Sequence, residues 1–258
     1  MTVAVVTDGA ASLPDDLACS HGVTVVPLEL TSGGRTSSPP PGRIAAAIER
    51  GQNGDGVVVL TVARSMSSTY QAATLAARRA PGPVEVLDSG TAAGGQGLVV
   101  LAAARAAQQG RSLAEVAATA RATAERVRLI ATLDTLDQLV AGGRLPSLAG
   151  RLGTLLGVQP LFEFSHGAIH PRRPAFSRAA ALRRILARWR ASRPASPAAL
   201  HVAALHALAP HEAEALLAAI RSELHAEPAT AFIGEFDAAM VAHTGPGLSG
   251  LAWWWEVM

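Results

Sequence analysis

Four short apolar runs, at residues 3–7, 23–30, 57–60 and 84–87, lack the polar alternation of a strand with one wet face. Runs of that kind predict strands buried on both sides. Between them, residues 43–50, 68–79 and 96–109 carry helical composition and spacing, and Ser112 with Glu115 forms a capping box that opens a further helix. Such alternation predicts a mostly parallel sheet with helices on both faces, an α/β/α arrangement. Near residue 157 the pattern loosens into Gly-punctuated turns. Beyond it, 158–164 and 168–170 read as antiparallel strands around the turn Ser165-His166-Gly167, followed by a helix with Leu182, Ile185, Leu186 and Trp189 on one face. A strand at 200–205, a helix at 210–224 and strands at 230–236 and 251–257 follow. The expected fold class is α/β in two domains, a parallel-sheet N-terminal domain at 1–157 and an α+β C-terminal domain with a mixed sheet at 158–258.

Composition narrows the chemistry. The chain of 258 residues is 49% apolar and only 4% aromatic, so Ala, Val and Leu must build its core. All 22 basic residues are Arg. Without Lys there is no Walker-A phosphate loop, pyridoxal Schiff base or lysine aldolase. Cys19 stands alone, which excludes disulfide frameworks, Cys-x-x-Cys redox pairs and thiolate zinc sites. The histidines show no metal-binding spacing, and neither a metal nor a cofactor is expected. The long uncharged run 238–255 is broken by His243, glycines and a proline, so it does not read as a bilayer helix. No basic start precedes the first apolar residues as in a signal peptide, and a cytoplasmic location is expected. A net charge of +2 does not by itself call for nucleic acid.

Candidate chemistry gathers in four loops where strands should end: Thr7-Asp8-Gly9-Ala10-Ala11-Ser12, then Thr36-Ser37-Ser38 with three prolines after it, then Ser65-Met66-Ser67-Ser68-Thr69-Tyr70, and Asp88-Ser89-Gly90-Thr91 with Gly94, Gly95 and Gly97. In open α/β sheets, ligands sit beyond the carboxyl ends of strands. A hydroxyl beside the free N–H groups of a helix start can grip an anion, so Thr36 and Ser67 are candidates for holding a carboxylate or phosphate. Read singly, Ser67 and Ser68 serve equally well as N-caps and Thr36 as a turn former. His243, beside Gly245-Pro246-Gly247, can donate to an anion or act as a base near neutral pH, or simply be satisfied by backbone. No Gly-x-Gly-x-x-Gly follows the first strand and no Gly-x-Ser-x-Gly elbow occurs. An alternative reading is a stand-alone enzyme, with Asp8, Asp88 and His243 as acid–base groups on a small acyl or phosphorylated substrate.

From residue 165 to 211 there is no Asp or Glu, yet Arg172, Arg173, Arg178, Arg183, Arg184, Arg188, Arg190 and Arg193 all lie there. With the apolar face of the helix turned to the core, most of these arginines face outward. They suit a solvated face, an acidic protein or a transient contact with an anionic membrane. Nucleic acid is not expected, because aromatic platforms for base stacking are nearly absent. Strand alternation turns Trp253 and Trp255 inward and Trp254 toward solvent or a partner.

These motifs, in this order, resemble the DegV family of bacterial fatty-acid-binding proteins over essentially the whole chain. Val6-Thr7-Asp8 with Leu13-Pro14 is similar to its opening signature, although Gly9 stands where the family commonly has Ser. Thr36-Ser37-Ser38-Pro39 resembles its Thr-Ser-Gln-Pro loop, and Ser67-Ser68-Thr69-Tyr70-Gln71 its Ser-Gly-Thr-Tyr-Gln segment. Leu87-Asp88-Ser89, Leu133-Asp134-Thr135-Leu136, Gly142-Gly143-Arg144-Leu145 and His243 with Gly245-Pro246-Gly247 match further blocks. The resemblance implies one long-chain fatty acid in a tunnel between the two domains. Thr36, Ser67 and Ser68 would hold its carboxylate with His243 close by, and Asp8, Ser37, Ser89, Gly95 and Phe176 would lie around the pocket. It further implies a carrier without catalysis of its own, which presents the carboxylate to a separate kinase related to dihydroxyacetone kinases for acyl-phosphate formation. Ala93, where the family often has Ser, and Phe176, where many members carry Arg, are departures, with Arg178 nearby. The energetics fit. A tail of about sixteen carbons supplies on the order of 10 kcal/mol at roughly 0.8 kcal/mol per buried methylene, before entropic losses, and neutral hydroxyls suffice for the carboxylate. Walls of Ala, Val, Leu and Met can provide the surface without aromatics.

Overall fold

In the computed structural model, which describes residues 2–30, 36–143, 158–196 and 198–257, the four apolar runs become strands. In chain order the first elements are β1 (Ala4–Asp8), α1 (Asp15–Ser20), β2 (Val23–Val26), β3 (Glu29–Leu30), β4 (Thr36–Ser37), α2 (Pro41–Gly51), β5 (Val57–Thr61), α3 (Thr69–Ala77) and β6 (Val84–Asp88). A parallel sheet runs β2-β1-β5-β6. Its central strands are buried on both faces, as unbroken apolar runs require. The run at 23–30 does not form one strand. Pro27 offers no N–H to the ladder, and Glu29–Leu30 pairs antiparallel with Thr36–Ser37 instead. Helices α2 and α3 cover one face through Ile44, Ile48 and Ala73, packed on Val6, Val57 and Val59.

The other face is covered by α4 (Ala93–Gln108) and α5 (Leu113–Arg126), the latter opened by the expected Ser112–Glu115 capping box. Helix α4 is buried on nearly every side, the pattern of a helix that never meets water. It lies against β1 and β5 on one side and against a second sheet on the other. Glycine makes that approach feasible. A Cβ on Gly94 would sit 2.6 Å from that of Ala203, and one on Gly97 would sit 2.8 Å from the Ala11 carbonyl oxygen.

The second sheet contains β7 (Arg128–Thr132), β8 (Gln159–Ser165), β9 (Ala168–Ala175), β10 (Ala198–His206), β11 (Thr230–Glu235) and β12 (Ser249–Val257), in the order β11-β10-β12-β7-β8-β9. It is mixed, because β10 and β11 are parallel and every other pair is antiparallel. The β8–β9 hairpin turns through His166 and Gly167, both at positive φ (51° and 74°), as a tight hairpin turn demands. β9 runs past its expected end through Pro171 and Pro174, which an edge strand tolerates. Its last two residues precede the helix that follows. β7 falls outside the expected pattern and lies before residue 157, so this sheet draws on chain from both sides of that boundary. Residue 157 itself, with Arg144 and Leu145, lies outside the described residues. The sheet's outer face is covered by α7 (Arg178–Arg190) and α8 (Pro210–Leu224), through Ile185, Trp189, Leu216 and Ile220. Two short helices, α6 (Asp137–Ala141) and α9 (Ala238–Thr244), complete the described elements. The layers therefore run helix, parallel sheet, helix, mixed sheet, helix.

One expectation is corrected by this layering. Trp254 does not meet solvent, because both faces of the mixed sheet are covered. Trp253 enters the outer core, and Trp254 enters the central one, stacked on His201 with ring centroids 4.3 Å apart. Most arginines of 172–190 face outward as expected, and acids from other elements neutralise several of them. Glu163 receives Arg172 and Arg188, Glu212 receives Arg178, and Glu223 receives Arg190. Burial pushes the Glu163 carboxyl up, but the hydrogen bonds from Arg188 and Arg172 outweigh it and hold the group below its usual range. These acids lie outside 165–211, so the local run of sequence conceals them. Among the described residues, no helix is long and apolar enough to cross a membrane.

Candidate functional site

Beyond the N-terminus of α4 the two sheets enclose a cavity of about 360 Å3. Ala10, Val62 and Met66 line it from the ends of the parallel strands, and Ala92 and Ala93 from the start of α4. Leu129, Ala131, Phe162, Phe164, Ile169 and Leu205 line it from the mixed sheet, with Phe236, Met240 and Leu248 around α9. Among the described residues no Asp, Glu or Arg lines it. Its polar lining is an imidazole, that of His243, and the hydroxyls of Thr36, Ser37, Ser38, Ser67, Ser68 and Thr244.

Local structure explains how these groups meet. The β3–β4 pairing sets Leu30 opposite Thr36, and the prolines at 39–41 turn the chain directly into α2, with Pro41 in its first turn. Ser67 and Ser68 lie just before α3. Ser67 Oγ accepts from the Thr69 N–H at 3.3 Å and pairs with Thr69 Oγ1 at 2.8 Å, while Ser68 stands at the N-cap position of α3 without a side-chain cap bond. Ser38 joins the two loops, its Oγ lying 3.2 Å from Ser67 Oγ and 2.6 Å from Ser68 Oγ. Thr36 Oγ1 meets the His243 imidazole. Thr244 turns its hydroxyl to the carbonyls of Met240 and Gly245. Ser37 and Ser68 are exposed and Thr36, Ser67 and His243 half-buried, so the hydroxyl group of residues reaches the surface.

His243 stands in the last turn of α9, which Asp237 caps through the Met240 N–H at 2.8 Å. The turn after it is built for glycine. Gly245 and Gly247 have φ of 75° and 81°, and a Cβ on Gly247 would run into the Asp134 carboxylate. Gly247 donates to the Ala207 carbonyl at 2.7 Å, and its own carbonyl accepts from Arg178. Arg178 also reaches Glu212, Gln159, Ser249 and Asp134. The Leu133-Asp134 block, Arg178 and the Gly-Pro-Gly turn thus form one support behind the imidazole.

Thr36, Ser37, Ser67, Ser68 and His243 all line the one cavity, whereas Asp8, Ser89, Gly95 and Phe176 do not. Asp8 is buried beneath it and accepts from the N–H groups of Val62 (2.9 Å) and Ala10 (3.0 Å) and from Gln96 (3.2 Å). It fixes two residues that line the wall. Burial raises its carboxyl to about 6, against the pull of those three hydrogen bonds. Ser89 is buried and bonds the Thr91 backbone, and a side chain on Gly95 would meet Thr91. Asp88 accepts from the Gly90 N–H and pairs with Arg64. The Asp8–Asp88–His243 set therefore does not share the cavity, and both aspartates brace loops. Phe176 is corrected outright. It is 74% exposed, because Ala175 takes the inward position at the end of β9 and Ser177 caps α7. Ala93 lines the cavity in a left-handed conformation at φ 51°, and Gly9 does not line it.

The aromatic lining goes beyond the expectation of Ala, Val, Leu and Met walls. Phe162 and Phe164, two apart on β8, turn to the cavity together, a spacing that strand periodicity could have flagged. Ser38 carries its bridging role without any local signal.

The family model described as "Uncharacterised protein, DegV family" matches residues 34–256. A DegV domain-containing protein of Streptomyces coelicolor is 34% identical over 275 aligned residues, covering 96% of this chain and 97% of that protein. Among solved structures, a DegV family protein from Thermus thermophilus, described as binding fatty acid, superposes with a TM-score of 0.85 at 29% identity. That match covers 98% of this chain and 99% of that one. DegV of Bacillus subtilis, described as a fatty acid binding protein, gives a TM-score of 0.83 at 26% identity and covers 99% of this chain and 100% of that one. With a family match over most of its length and a relative above 30% identity along nearly all of it, the chain belongs to the DegV family.

Proposed function

We propose that this protein binds a long-chain fatty acid between a lobe built on the parallel sheet and a lobe built on the mixed sheet, and presents its carboxylate to a separate kinase. Thr36, Ser67 and Ser68 donate to the carboxylate, with His243 beside Thr36, and the alkyl chain follows the Phe, Leu and Met walls inward. The observation that carries the reading is the split character of the cavity lining, hydroxyls and one imidazole near the surface and apolar side chains elsewhere. A volume of about 360 Å3 lies within the 300–1,000 Å3 typical of small-ligand sites.

Neutral donors hold a carboxylate without the tight bidentate clamp of an arginine, which leaves an oxygen available for attack on a phosphoryl donor. The exposed Ser37 and Ser68 support access to that oxygen from outside. In this reading the chain supplies no catalytic group, the kinase related to dihydroxyacetone kinases performs the transfer, and the cytoplasm is the setting. Among the described residues Arg173 and Arg183 form no ion pair with an acidic side chain, and they remain for a transient anionic membrane contact during loading.

Native mass spectrometry of the purified protein tests the reading. A co-purifying mass of a long-chain acid, released on denaturation, is the expected result. A protein that stays empty after incubation with such acids, and by itself turns over a small acyl or phosphorylated compound, refutes it.

A further inference from the structure

Helix α9 is a wall of two concavities. Met240, His243 and Thr244 face the cavity, while Ala238, Val241 and Ala242 face a separate groove of about 960 Å3. The groove floor is apolar, built with Leu13, Val25 and Ile233. Leu30 and Leu208 line it and are 50% and 67% exposed. Asp15, Glu235 and Asp237 are exposed and also line it, and among the described residues no Arg or His does so.

Two features of this groove have no explanation among the described residues. Leu208 sits at φ 57°, in the left-handed region that disfavours any residue with a Cβ other than Asn or Asp. An Asn or Gly there would remove both the backbone strain and the exposed leucyl surface, so folding alone selects against this leucine. Backbone strain and exposed apolar surface gathered in one place point to a partner that is absent. The unbalanced acidic rim specifies its charge.

We infer that this groove docks a basic, amphipathic segment of a protein partner. The apolar face of that segment covers Leu30 and Leu208, and its cations meet Asp15, Glu235 and Asp237. Docking there places the partner one helix away from the hydroxyls and imidazole of the cavity mouth. The inference does not depend on what the cavity holds.

Fluorescence anisotropy with a short labelled Leu/Lys amphipathic helical peptide tests it. Saturable binding is expected, weakened roughly tenfold or more in the double variant Leu208→Asn/Glu235→Gln, as for loss of an apolar anchor. The matching Leu/Glu peptide should not bind. Leu208→Asn alone should keep or raise the thermal midpoint, which separates lost docking from misfolding. The inference is overturned by a wild-type protein that ignores the Leu/Lys peptide, by equal binding to the double variant, or by equal binding of the acidic peptide. Sedimentation velocity covers the other occupant: a wild-type dimer that Leu208→Asn dissociates assigns the groove to a second copy of the chain and equally overturns it. Fatty-acid affinity, measured on the same variant, reports on the cargo reading separately.

Discussion

Thr36 and Ser67 both line the hydroxyl end of the cavity, but they support different things, and that difference separates recognition from folding. Thr36 Oγ1 meets His243, whereas Ser67 Oγ also accepts from the Thr69 N–H and so helps to open α3. Thr36→Ala should therefore leave the apo protein's stability close to wild type, while Ser67→Ala costs about 1 kcal/mol, the usual net worth of a lost hydrogen bond. Binding responds differently. A hydrogen bond to a charged group is worth about 1.5–3 kcal/mol, so removing both hydroxyls removes about 3–6 kcal/mol, a loss of affinity of roughly a hundredfold or more. Burial of the tail, on the order of 10 kcal/mol for about sixteen carbons, is untouched, and residual binding persists. The methyl ester of the same acid keeps a carbonyl acceptor but no charge, so it should lose clearly less than the acid, about 0.5–1.5 kcal/mol per hydroxyl, between wild type and double variant. Displacement of a fluorescent fatty acid from delipidated protein, by the acid and by its ester, measures both quantities. Acid affinity of the double variant within about twofold of wild type refutes the head-group assignment. An equal loss for acid and ester refutes it too, since the hydroxyls would then be shaping the cavity rather than holding charge.

Three further outcomes follow from the supports around the cavity. Burial raises the Asp8 carboxyl from 3.8 to about 6, so as pH rises the unfolded chain ionises first. The stabilisation from this group is complete below about pH 4 and lost by about pH 6, roughly 3 kcal/mol in all. Urea denaturation should show wild type gaining that much relative to Asp8→Asn as pH falls through this window, and a pH-independent difference contradicts the burial argument. Gly97→Ala improves helix propensity by about 1 kcal/mol, yet its Cβ would lie 2.8 Å from the Ala11 carbonyl oxygen and 3.0 Å from the Phe232 ring. Overpacking should win, with a net loss of about 1–3 kcal/mol in thermal unfolding. Arg178→Ala removes the bonds to Glu212, Ser249 and the Gly247 carbonyl. It should cost about 2 kcal/mol, discounted for partial exposure, and should also lower fatty-acid affinity in the displacement assay, because the turn behind His243 loses its anchor.

Much of this was legible in the residues themselves. Unbroken apolar runs specified the parallel sheet, Ser112 and Glu115 specified a helix start, and hydroxyl-rich segments at strand ends singled out Thr36, Ser67 and Ser68 before any coordinates. The failures share one physical origin: a local pattern does not tell what covers a face. Trp254 alternates out of the face that holds Trp253, but that opposite face is covered too, so alternation distinguished two interiors rather than inside from outside. The arginines of α7 look unpaired because Glu163, Glu212 and Glu223 reach them from other elements. Asp8 looks like an acid–base group because a carboxylate at a strand end serves equally well as a brace. β7 escaped because its five residues join a sheet whose other strands begin more than twenty residues later.

The position of the cavity follows from the same layering. Helix α4 fills the space between the two sheets along its length, and its Gly and Ala residues let both sheets close upon it. The helix begins at Ala93, so beyond that point the middle layer has no helix to fill it. The sheet ends continue past it, carrying Ala10 and Val62 on one side and Ala131, Phe162, Phe164 and Leu205 on the other. Apolar walls with no helix between them suit another apolar body, and under the proposed function an alkyl chain would take in that space the position that side chains of α4 occupy further along. The hydroxyls of 36–38 and 67–68 then close the layer at the surface, where a charged end can stay wet. Under the proposed function the binding site is the continuation of the core, and cargo burial and core packing would draw on one and the same hydrophobic driving force.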